Sequence, residues 1–509
     1  MLLTFAARKQ RTRRAMSDVE CQRCGWGSMR QQGRTPFPIN PTSLMHTRIR
    51  YAALLAAALS TNAQAQATLS GAMRASIDSA ANEIITRTGT PSASIAVVMD
   101  GAIAYTNAYG NARLDPVTAA TPSMRYSIGS VSKQFTATLI LRLVEQNKLS
   151  LNDRISRWFP DVTRAKDITV RQLLAMTSGI SDYWAQDYVM SPMLRPITAQ
   201  QIVDQFAKAK LDFEPGSKYQ YSNTNYVMLG MIIEKVTGKP FLDVLRSNIL
   251  TPLKLTSAYI VDDDALPSSD PDRYTRYALG PNRVGPKEGK GWLYAAGELA
   301  MTSRDLARWD IGVINHELMK PASYRAQQTA TILNDGRPSN YALGVQVGTW
   351  NGHRIVTHSG GVSGFTTQNS VFPDDRAAVV VFVNTDATPA AGQIQSAIFR
   401  ILFATAIDAP TAAAVAQMKT ILAGLQAGTI DRSLFTQNAN DYFSESTLAD
   451  FKSSLGSLGS CGTISQSTTN SRGGMNYRVF DVKCGSTNIN IATYTMADGK
   501  LEQLLITPP

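Results

Sequence analysis

Two spacings of apolar residues alternate along the chain and outline the fold. Residues 94–99 form a short apolar run, and the turn pair Asp100-Gly101 leads into a second strand over 102–108. Residues 130–146 place apolar side chains at every fourth position, which predicts a helix. Further helices are predicted over 224–237 and 303–314.

Strand patterns return in the second half of the chain. Asn351-Gly352 marks the turn of one hairpin, and a turn over 373–376 joins the strands 368–372 and 377–384. The order is therefore strands, then many helices, then strands again. Such segregation predicts an α+β domain, in which helices cover an antiparallel sheet and a separate region is helical.

The helical region contains two local sequence patterns, a capping box and a long stretch without periodicity. Thr169 and Gln172 form a capping box that opens a short helix. Residues 182–198 have no periodic pattern, and we predict a long loop there. Tyr183 and Trp184 are expected to be exposed on this loop or to rim a cleft.

A chain of 509 residues is too long for one ordinary core and predicts two folded units, 66–407 and 411–509. The second is a small α+β domain without a catalytic constellation, which we interpret as an accessory or dimerising module. Its predicted elements are two helices and four strands, near 413–426, 447–455, 462–468, 476–483, 488–495 and 501–506.

The formal net charge of +11 is concentrated at the N-terminus. The first 50 residues hold ten Lys/Arg and two Asp/Glu, a net of +8, so the remaining chain carries about +3. That balance does not indicate a nucleic-acid partner or an anionic membrane.

Residues 45–65 have the layout of a secretory signal peptide. A basic start is followed by the alanine-rich apolar run 51–59 and by small residues at 63–65, which suit cleavage. The run is too short to span a bilayer as a stable helix. We expect a periplasmic or secreted protein that begins near Gln66, although a cut two residues later competes. Residues 1–44 are then a mis-assigned extension; the alternative is a basic disordered arm on a cytosolic protein.

Four cysteines fall into two pairs. Cys21 and Cys24 form a C-x-x-C without a second pair of ligands, and zinc needs about four, so no metal site is predicted. Cys461 and Cys484 flank a turn-like centre that sets them opposite each other on neighbouring strands. We expect a disulfide between them in an oxidising compartment, with two buried thiols as the alternative.

Ser130 and Lys133 lie three residues apart at the head of a predicted helix. Residues at this spacing share one helix face, so the amine can sit beside the hydroxyl and take its proton. A helix N-terminus also suits a developing oxyanion. Alone, the pair is better explained by an N-cap serine and a solvated lysine.

Two later clusters favour the catalytic interpretation. Tyr221-Ser222-Asn223 and His358-Ser359-Gly360 follow in chain order. The set S-x-x-K, Y-S-N and H-S-G resembles the penicillin-recognising serine hydrolases. It is most similar to the branch with class C β-lactamases, D,D-peptidases, D-aminopeptidases and related esterases. The resemblance covers roughly 85–400 and includes LLAMTSGI, PGSKYQYSNTNY and AAGELAMTSRDLARW.

The resemblance implies a fold and a set of roles. The fold is a five-stranded antiparallel sheet flanked by helices, beside an all-helical subdomain, with the site between them. Ser130 is the nucleophile, Lys133 takes or relays its proton, and Tyr221 protonates the leaving group and activates water. The oxyanion hole is formed by the N–H groups of Ser130 and Gly361. Tyr221 as a packed aromatic, and Asn223 as a turn residue, are the structural alternatives.

The remaining predicted site residues concern the substrate. Asn223 is expected to donate to a substrate carbonyl and to contact Lys133. Ser359 is expected to bond a substrate carboxylate or amide, and Gly360 to let the substrate backbone approach. Most β-lactamases carry lysine where this chain has His358, which argues against strong β-lactamase activity. Three aromatic residues are predicted either to line the cleft or to pack in the core: Tyr183, Trp184 and Trp292.

The sequence therefore predicts an exported serine hydrolase that acts through an acyl-enzyme, without a metal or organic cofactor. Its substrate is a small molecule or peptide with an amide or ester bond: a D-amino-acid peptide, a small ester or a β-lactam. D-amino-acid peptidase or esterase activity ranks above a true β-lactamase. The alternative is a penicillin-binding or scaffold protein that is acylated without turnover. The oligomeric state stays open.

Overall fold

The structure, a computed structural model, describes residues 69–186, 188–262, 269–278, 280–386, 388–403 and 409–508. The predictions of an N-terminal extension, a signal peptide and a Cys21–Cys24 pair lie outside the described residues.

The strands of residues 69–403 carry labels in chain order. They are β1 Ser92–Met99, β2 Ala102–Leu114, β3 Val117–Ala119, β4 Tyr126–Ser127, β5 Tyr259–Ile260, β6 Tyr274–Thr275, β7 Arg283–Val284, β8 Leu299–Met301, β9 Thr331–Ile332, β10 Pro338–Ser339, β11 Gln346–Trp350, β12 His353–Val362, β13 Phe365–Phe372 and β14 Ala377–Val383.

The α-helices of the same part carry a second series of labels. They are α1 Gly71–Thr88, α2 Ser132–Glu145, α3 Val170–Leu174, α4 Ala199–Ile202, α5 Asn223–Thr237, α6 Phe241–Leu245, α7 Tyr294–Gly297, α8 Ser303–Ile314, α9 Pro321–Gln327 and α10 Ala390–Leu402.

One antiparallel sheet organises this part, with the strand order β11-β12-β13-β14-β1-β2-β3. It has seven strands where the resemblance implied five, because the short strands β11 and β3 extend its two edges. The α+β fold class is confirmed. The predicted hairpins are also present: Asp100 and Gly101 adopt φ values of 50° and 75°, and Asn351 and Gly352 adopt 47° and 84°.

The central strand β14 explains how both faces of the sheet are covered. All seven of its residues are buried. Alternate side chains point to opposite faces, so Val379 and Val381 pack under α1 and α10, whereas Val380 and Phe382 join the core on the other side. A continuous apolar run, rather than an alternating one, is typical of a strand buried on both faces.

The helical half is built around α2 and α5. Their buried side chains belong to the same hydrophobic core, so the two helices fix the position of residues at their ends. The predicted capping box is present, since Thr169 accepts from the Gln172 backbone and Gln172 accepts from the Thr169 backbone. None of the helices within the described residues is both long and apolar enough to traverse a bilayer.

Residues 409–508 form a small α+β region with its own hydrophobic core. Its elements are α11 Ala409–Ala427, α12 Gln437–Tyr442, α13 Glu445–Gly456, β15 Cys461–Arg472, β16 Met475–Cys484, β17 Thr487–Thr495 and β18 Leu501–Thr507. The strands form one antiparallel sheet in sequence order. The predicted disulfide joins Cys461 to Cys484, which are register partners on β15 and β16. An accessory or dimerising role stays a prediction.

Candidate active site

Ser130 lies in a 3₁₀ turn, Gly129–Val131, that runs directly into α2. Gly129 has φ 51°, a conformation that glycine adopts without strain, and a Cβ there would come within 3.0 Å of the Gly361 backbone nitrogen. The turn therefore packs against β12. It presents Ser130 at a helix start, where backbone N–H groups lack intrahelical acceptors.

Lys133 is completely buried beside Ser130. Its Nζ lies 2.9 Å from Ser130 Oγ, 2.8 Å from Asn223 Oδ1 and 2.7 Å from the Ala296 carbonyl oxygen. Burial lowers the pKa of Lys133 to about 7, and the charge of Asp182 opposes that shift. A large share of the lysine is therefore neutral near pH 7.

The neighbours of Lys133 decide where its lone pair points. A neutral amine has two N–H groups and one lone pair. The Ala296 carbonyl and Asn223 Oδ1 are acceptors, so they take the two N–H groups. The lone pair is left for the Ser130 hydroxyl, which is the geometry that a general base requires.

Tyr221 is brought to the same place. Its ring centroid lies 5.0 Å from Lys133 Nζ, and its hydroxyl is buried near the hydroxyl of Ser130. Burial raises the pKa of Tyr221 well above its ordinary value, and the nearby Ser130 hydroxyl partly offsets this. Tyr221 is thus a protonated phenol near pH 7, so Lys133 is the one of the two that is available as a neutral base.

The third cluster, His358-Ser359-Gly360, lies on β12 just beyond the residues that pair with β11. Pairing with β11 stops at Thr357, opposite Gln346. A Cβ on Gly360 would lie 2.0 Å from the Ile128 carbonyl oxygen, so glycine is required for the 3₁₀ turn Gly129–Val131 to approach the strand. This differs from the predicted reason, which was approach of a substrate. A Cβ on Gly361 would meet nothing within 4 Å.

His358 is a buried and neutral member of this cluster. Its Nδ1 lies 2.6 Å from the Ser359 carbonyl oxygen, which can only accept, so the proton is on Nδ1. Nε2 then accepts from the Tyr341 hydroxyl at 2.9 Å. Burial and the charge of Lys133 lower the pKa of His358 to about 3, against the effect of the Ser359 carbonyl.

Aromatic rings form a wall beside His358. Tyr341 stacks on Tyr219 with ring centroids 5.4 Å apart and meets Tyr221 edge-on at 6.3 Å. Tyr341 is almost fully buried, whereas Tyr219 is partly exposed. The sequence analysis missed Tyr341, because no motif marks it and only the fold brings it to β12.

Asp182 is a second residue that the sequence analysis missed. It accepts from the backbone N–H of Asn223 at 2.8 Å and from Asn223 Nδ2 at 3.1 Å. Burial raises the pKa of Asp182, while the N–H groups of Asn223 and Trp184 and the charge of Lys133 lower it. No local spacing links Asp182 to Asn223, since they are 41 positions apart.

The three aromatic residues predicted for the cleft or the core differ in their burial. Tyr183 is 2% exposed and Trp292 is 6% exposed; their rings pack 5.8 Å apart, and the Tyr183 hydroxyl donates to the Trp292 carbonyl. Tyr183 is therefore not exposed, because a distant segment covers the loop; it packs in the core, which was the alternative to a place in the cleft. Trp292 also donates from Nε1 to the Arg195 carbonyl. Trp184 is half-buried and bonds the Tyr188 carbonyl.

Met176 occupies a position where the resembled family commonly has histidine. It is buried with φ 59°, and its Sδ lies 3.4 Å from the Ser222 nitrogen and 3.5 Å from Asn225 Nδ2. Through these contacts Met176 packs against the Y-S-N segment. Within the described residues, no group of three or more His, Cys, Asp or Glu is placed to hold a metal ion.

The fold is an antiparallel sheet flanked by helices, beside a helical half. The helical half carries S-x-x-K and Y-S-N, and these motifs face a strand with H-S-G. This combination defines the class of β-lactamase-fold proteins. The family model described as Beta-lactamase matches residues 74–400. The chain belongs to this family.

Individual relatives agree with that assignment. The chain is 30% identical over 304 residues to Protein flp of Staphylococcus aureus, covering 58% of this chain and 59% of that protein. It is 28% identical over 340 residues to Penicillin-binding protein 4* of Bacillus subtilis, covering 63% and 74%. A D-stereospecific amidohydrolase from Streptomyces sp. superposes with a TM-score of 0.57 at 28% identity, covering 65% of this chain and 99% of its own. The match thus spans about three fifths of the length of Protein flp.

Proposed function

We propose that the protein is a serine hydrolase in which Ser130 forms an acyl-enzyme with an amide or ester substrate. The observation that carries the proposal is the 2.9 Å contact between Ser130 Oγ and the buried Nζ of Lys133. Ser130 Oγ attacks the carbonyl carbon while its proton passes to the Lys133 lone pair. Tyr221 protonates the leaving amine or alcohol and becomes a phenolate. The phenolate then takes a proton from the water that attacks the ester, and Lys133 returns its proton to Ser130 as the ester breaks.

The charge that develops on the carbonyl oxygen needs donors in the same cavity. The Ser130 N–H lies at a helix start, and the Gly361 backbone borders the 3₁₀ turn Gly129–Val131. We assign these two N–H groups to the oxyanion hole. One such donor is typically worth about 10²–10³-fold in rate.

Amides or esters without a free carboxylate are the substrates that fit this site best. His358 is neutral, and its two ring nitrogens are bonded to the Tyr341 hydroxyl and the Ser359 carbonyl. The positive charge that acts on the pKa of His358 is that of Lys133. A free carboxylate beside Ser359 would therefore lack the cation that a lysine in place of His358 supplies. The similarity to a D-stereospecific amidohydrolase supports a D-configured acyl group.

A substrate panel tests this proposal. It contains D-phenylalanine amide, p-nitrophenyl acetate, a chromogenic cephalosporin, and N-acetyl-D-alanyl-D-alanine paired with its C-terminal amide. We expect turnover of the amides or the ester, and at least tenfold higher kcat/KM for the amidated dipeptide than for the free acid. Ser130→Ala should abolish every activity; activity that survives this change rules the proposal out.

Acylation without turnover is the second candidate, and the similarity to a penicillin-binding protein supports it. Labelled penicillin separates the two candidates. A persistent adduct at Ser130, without hydrolysis of any panel member, favours the binding protein, and rapid release favours the enzyme.

We further propose that the protein is exported. The signal-like pattern over 45–65 and the Cys461–Cys484 disulfide support this location, because disulfides persist in oxidising compartments. N-terminal sequencing of protein from the periplasm or medium should give a start near Gln66. Protein that stays in the cytosol with an intact Met1 contradicts this proposal.

A further inference from the structure

Asp182 is a carboxylate at the site for which the proposed mechanism has no use. Its Oδ1 accepts from the backbone N–H of Asn223 at 2.8 Å and of Trp184 at 3.2 Å. Asn223 Nδ2 lies 3.1 Å from Oδ1 and 3.2 Å from Oδ2. No Lys or Arg of the described residues forms an ion pair with it.

The carboxylate fixes the direction of the Asn223 amide. A carboxylate can only accept, so it faces the NH₂ group of Asn223 and leaves Oδ1 directed at Lys133 Nζ, 2.8 Å away. In the reversed orientation of the Asn223 amide, the NH₂ group would face Lys133. Without Asp182, this orientation would no longer be disfavoured by a carboxylate facing the amide oxygen. The orientation of Asn223 thus depends on a residue outside the three motifs.

The direction of Asn223 in turn determines what Lys133 offers to Ser130. With an amide oxygen and the Ala296 carbonyl as acceptors, both N–H groups of neutral Lys133 are occupied. Its lone pair then faces Ser130. A reversed Asn223 would present a donor to Lys133, so the lone pair would turn toward the amide and away from the serine hydroxyl.

We propose that Asp182 is a positioning residue, which acts through Asn223 to direct the lone pair of Lys133 at Ser130. This inference rests on the proposed function, because it assigns a supporting role to the same nucleophile and base. A purely structural alternative exists, since Asp182 also receives the first N–H of α5, whose N-cap residue Ser222 makes no side-chain capping bond. The experiment must separate these two roles.

Two variants make the separation. Asp182→Asn keeps an oxygen acceptor without the charge, and the N–H groups of Asn223 and Trp184 would hold the oxygen of the introduced amide at the place of Oδ1. Asp182→Ala removes the acceptor. Asp305→Ala is the matched control, because Asp305 accepts from the backbone N–H and hydroxyl of Ser257 at 2.7 and 2.6 Å, away from Ser130.

The readouts are kcat/KM for p-nitrophenyl acetate against pH and the melting temperature of each variant. We expect Asp182→Ala to lose about 10²-fold in kcat/KM, as for a displaced general base. Asp182→Asn should retain activity within about tenfold. Its acid limb should move down by roughly one pH unit, because an anion that favours protonated Lys133 is gone. Asp305→Ala should lower only the melting temperature.

The groups that face Lys133 and share this pH dependence are Asp182, Tyr221, Tyr226 and His358. The inference is overturned if folded Asp182→Ala keeps the wild-type kcat/KM and acid limb. Should that variant fail to fold, an unmoved acid limb in Asp182→Asn overturns it instead. Full activity of Ser130→Ala would refute the proposed function itself, whereas loss of activity there with silent Asp182 variants refutes only this inference.

Discussion

Tyr341 donates its hydroxyl proton to His358 Nε2 across 2.9 Å, and this bond holds the imidazole as a neutral ring. The other ring nitrogen donates to the Ser359 carbonyl. Both polar ends of His358 are therefore satisfied within the protein, and the ring serves to support β12 rather than to supply charge. A position that often carries a cation in the resembled family holds an uncharged side chain here.

This arrangement predicts how stability depends on pH. The pKa of His358 is lowered to about 3 in the folded protein, against about 6.5 in an unfolded chain. The folded state thus binds fewer protons. The neutral ring's contribution is fully present above pH 6.5 and is lost as pH falls toward 3. His358→Gln should flatten this part of the curve, measured by urea unfolding between pH 4 and 8.

An independent check uses NMR. The Hε1 resonance of His358 should stay unshifted between pH 5 and 8. A titration of His358 within that range would contradict the neutral assignment.

Lys133 should set the pH dependence of the reaction. Burial lowers its pKa to about 7, and only the neutral amine can take the Ser130 proton. We therefore expect kcat/KM to rise with pH and to reach half of its plateau near pH 7.

Removing the amine tests the origin of that limb. Lys133→Met should lower kcat/KM by about 10²–10⁴-fold and abolish the limb. Lys218→Met is the control, since Lys218 is partly exposed and lies over Phe213. An unchanged limb in Lys133→Met would assign the titration to another group.

Gly360 and Gly361 form a matched pair for testing how β12 meets the 3₁₀ turn Gly129–Val131. A Cβ on Gly360 would lie 2.0 Å from the Ile128 carbonyl, so Gly360→Ala must displace the turn that holds Ser130. We expect a cost of about 1–3 kcal/mol in unfolding free energy and a large loss of kcat. Gly361→Ala meets open space and should keep wild-type stability. Equal melting temperatures for the two variants would contradict this packing.

The sequence predicts the parts of the site that local spacing encodes. Ser130 and Lys133 share a helix face three residues apart, and β14 is recognisable as a run of apolar residues. Tyr221 and Asn223 were identified through their order relative to Ser130 and through resemblance, since no local pattern brings them to α2.

The contacts that support these residues could not be predicted in the same way. Asp182 meets Asn223 from 41 positions away, and Tyr341 meets His358 from 17. The choice between cleft and core for Tyr183 stayed open for the same reason, because the chain that buries it lies 109 positions later. A loop pattern predicts exposure only when no distant segment covers it.

A buried carboxyl group under the sheet yields a final prediction. Asp310 on α8 is fully buried and accepts from Asn369 Nδ2 at 2.9 Å. Asp310 Oδ2 and Asn369 Oδ1 have no hydrogen-bond partner among the described residues. Burial raises the pKa of Asp310 well above its ordinary value. We therefore expect Asp310 to be protonated. Its OH group can then donate to Asn369 Oδ1, which has no donor when Asp310 is ionised.

The sign of the pH effect follows from that raised pKa. The folded state keeps a proton that the unfolded chain releases above about pH 4, so the contribution to stability is full below pH 4 and declines as pH rises. Asp310→Asn supplies a hydrogen-bond donor and an acceptor in a side chain that does not titrate. Its stability relative to wild type should grow by up to about 1.4 kcal/mol per pH unit between pH 5 and 8. Urea unfolding measures this, with Asp305→Asn on the same helix as control. Parallel curves for wild type and Asp310→Asn would mean that Asp310 is ionised in the folded protein.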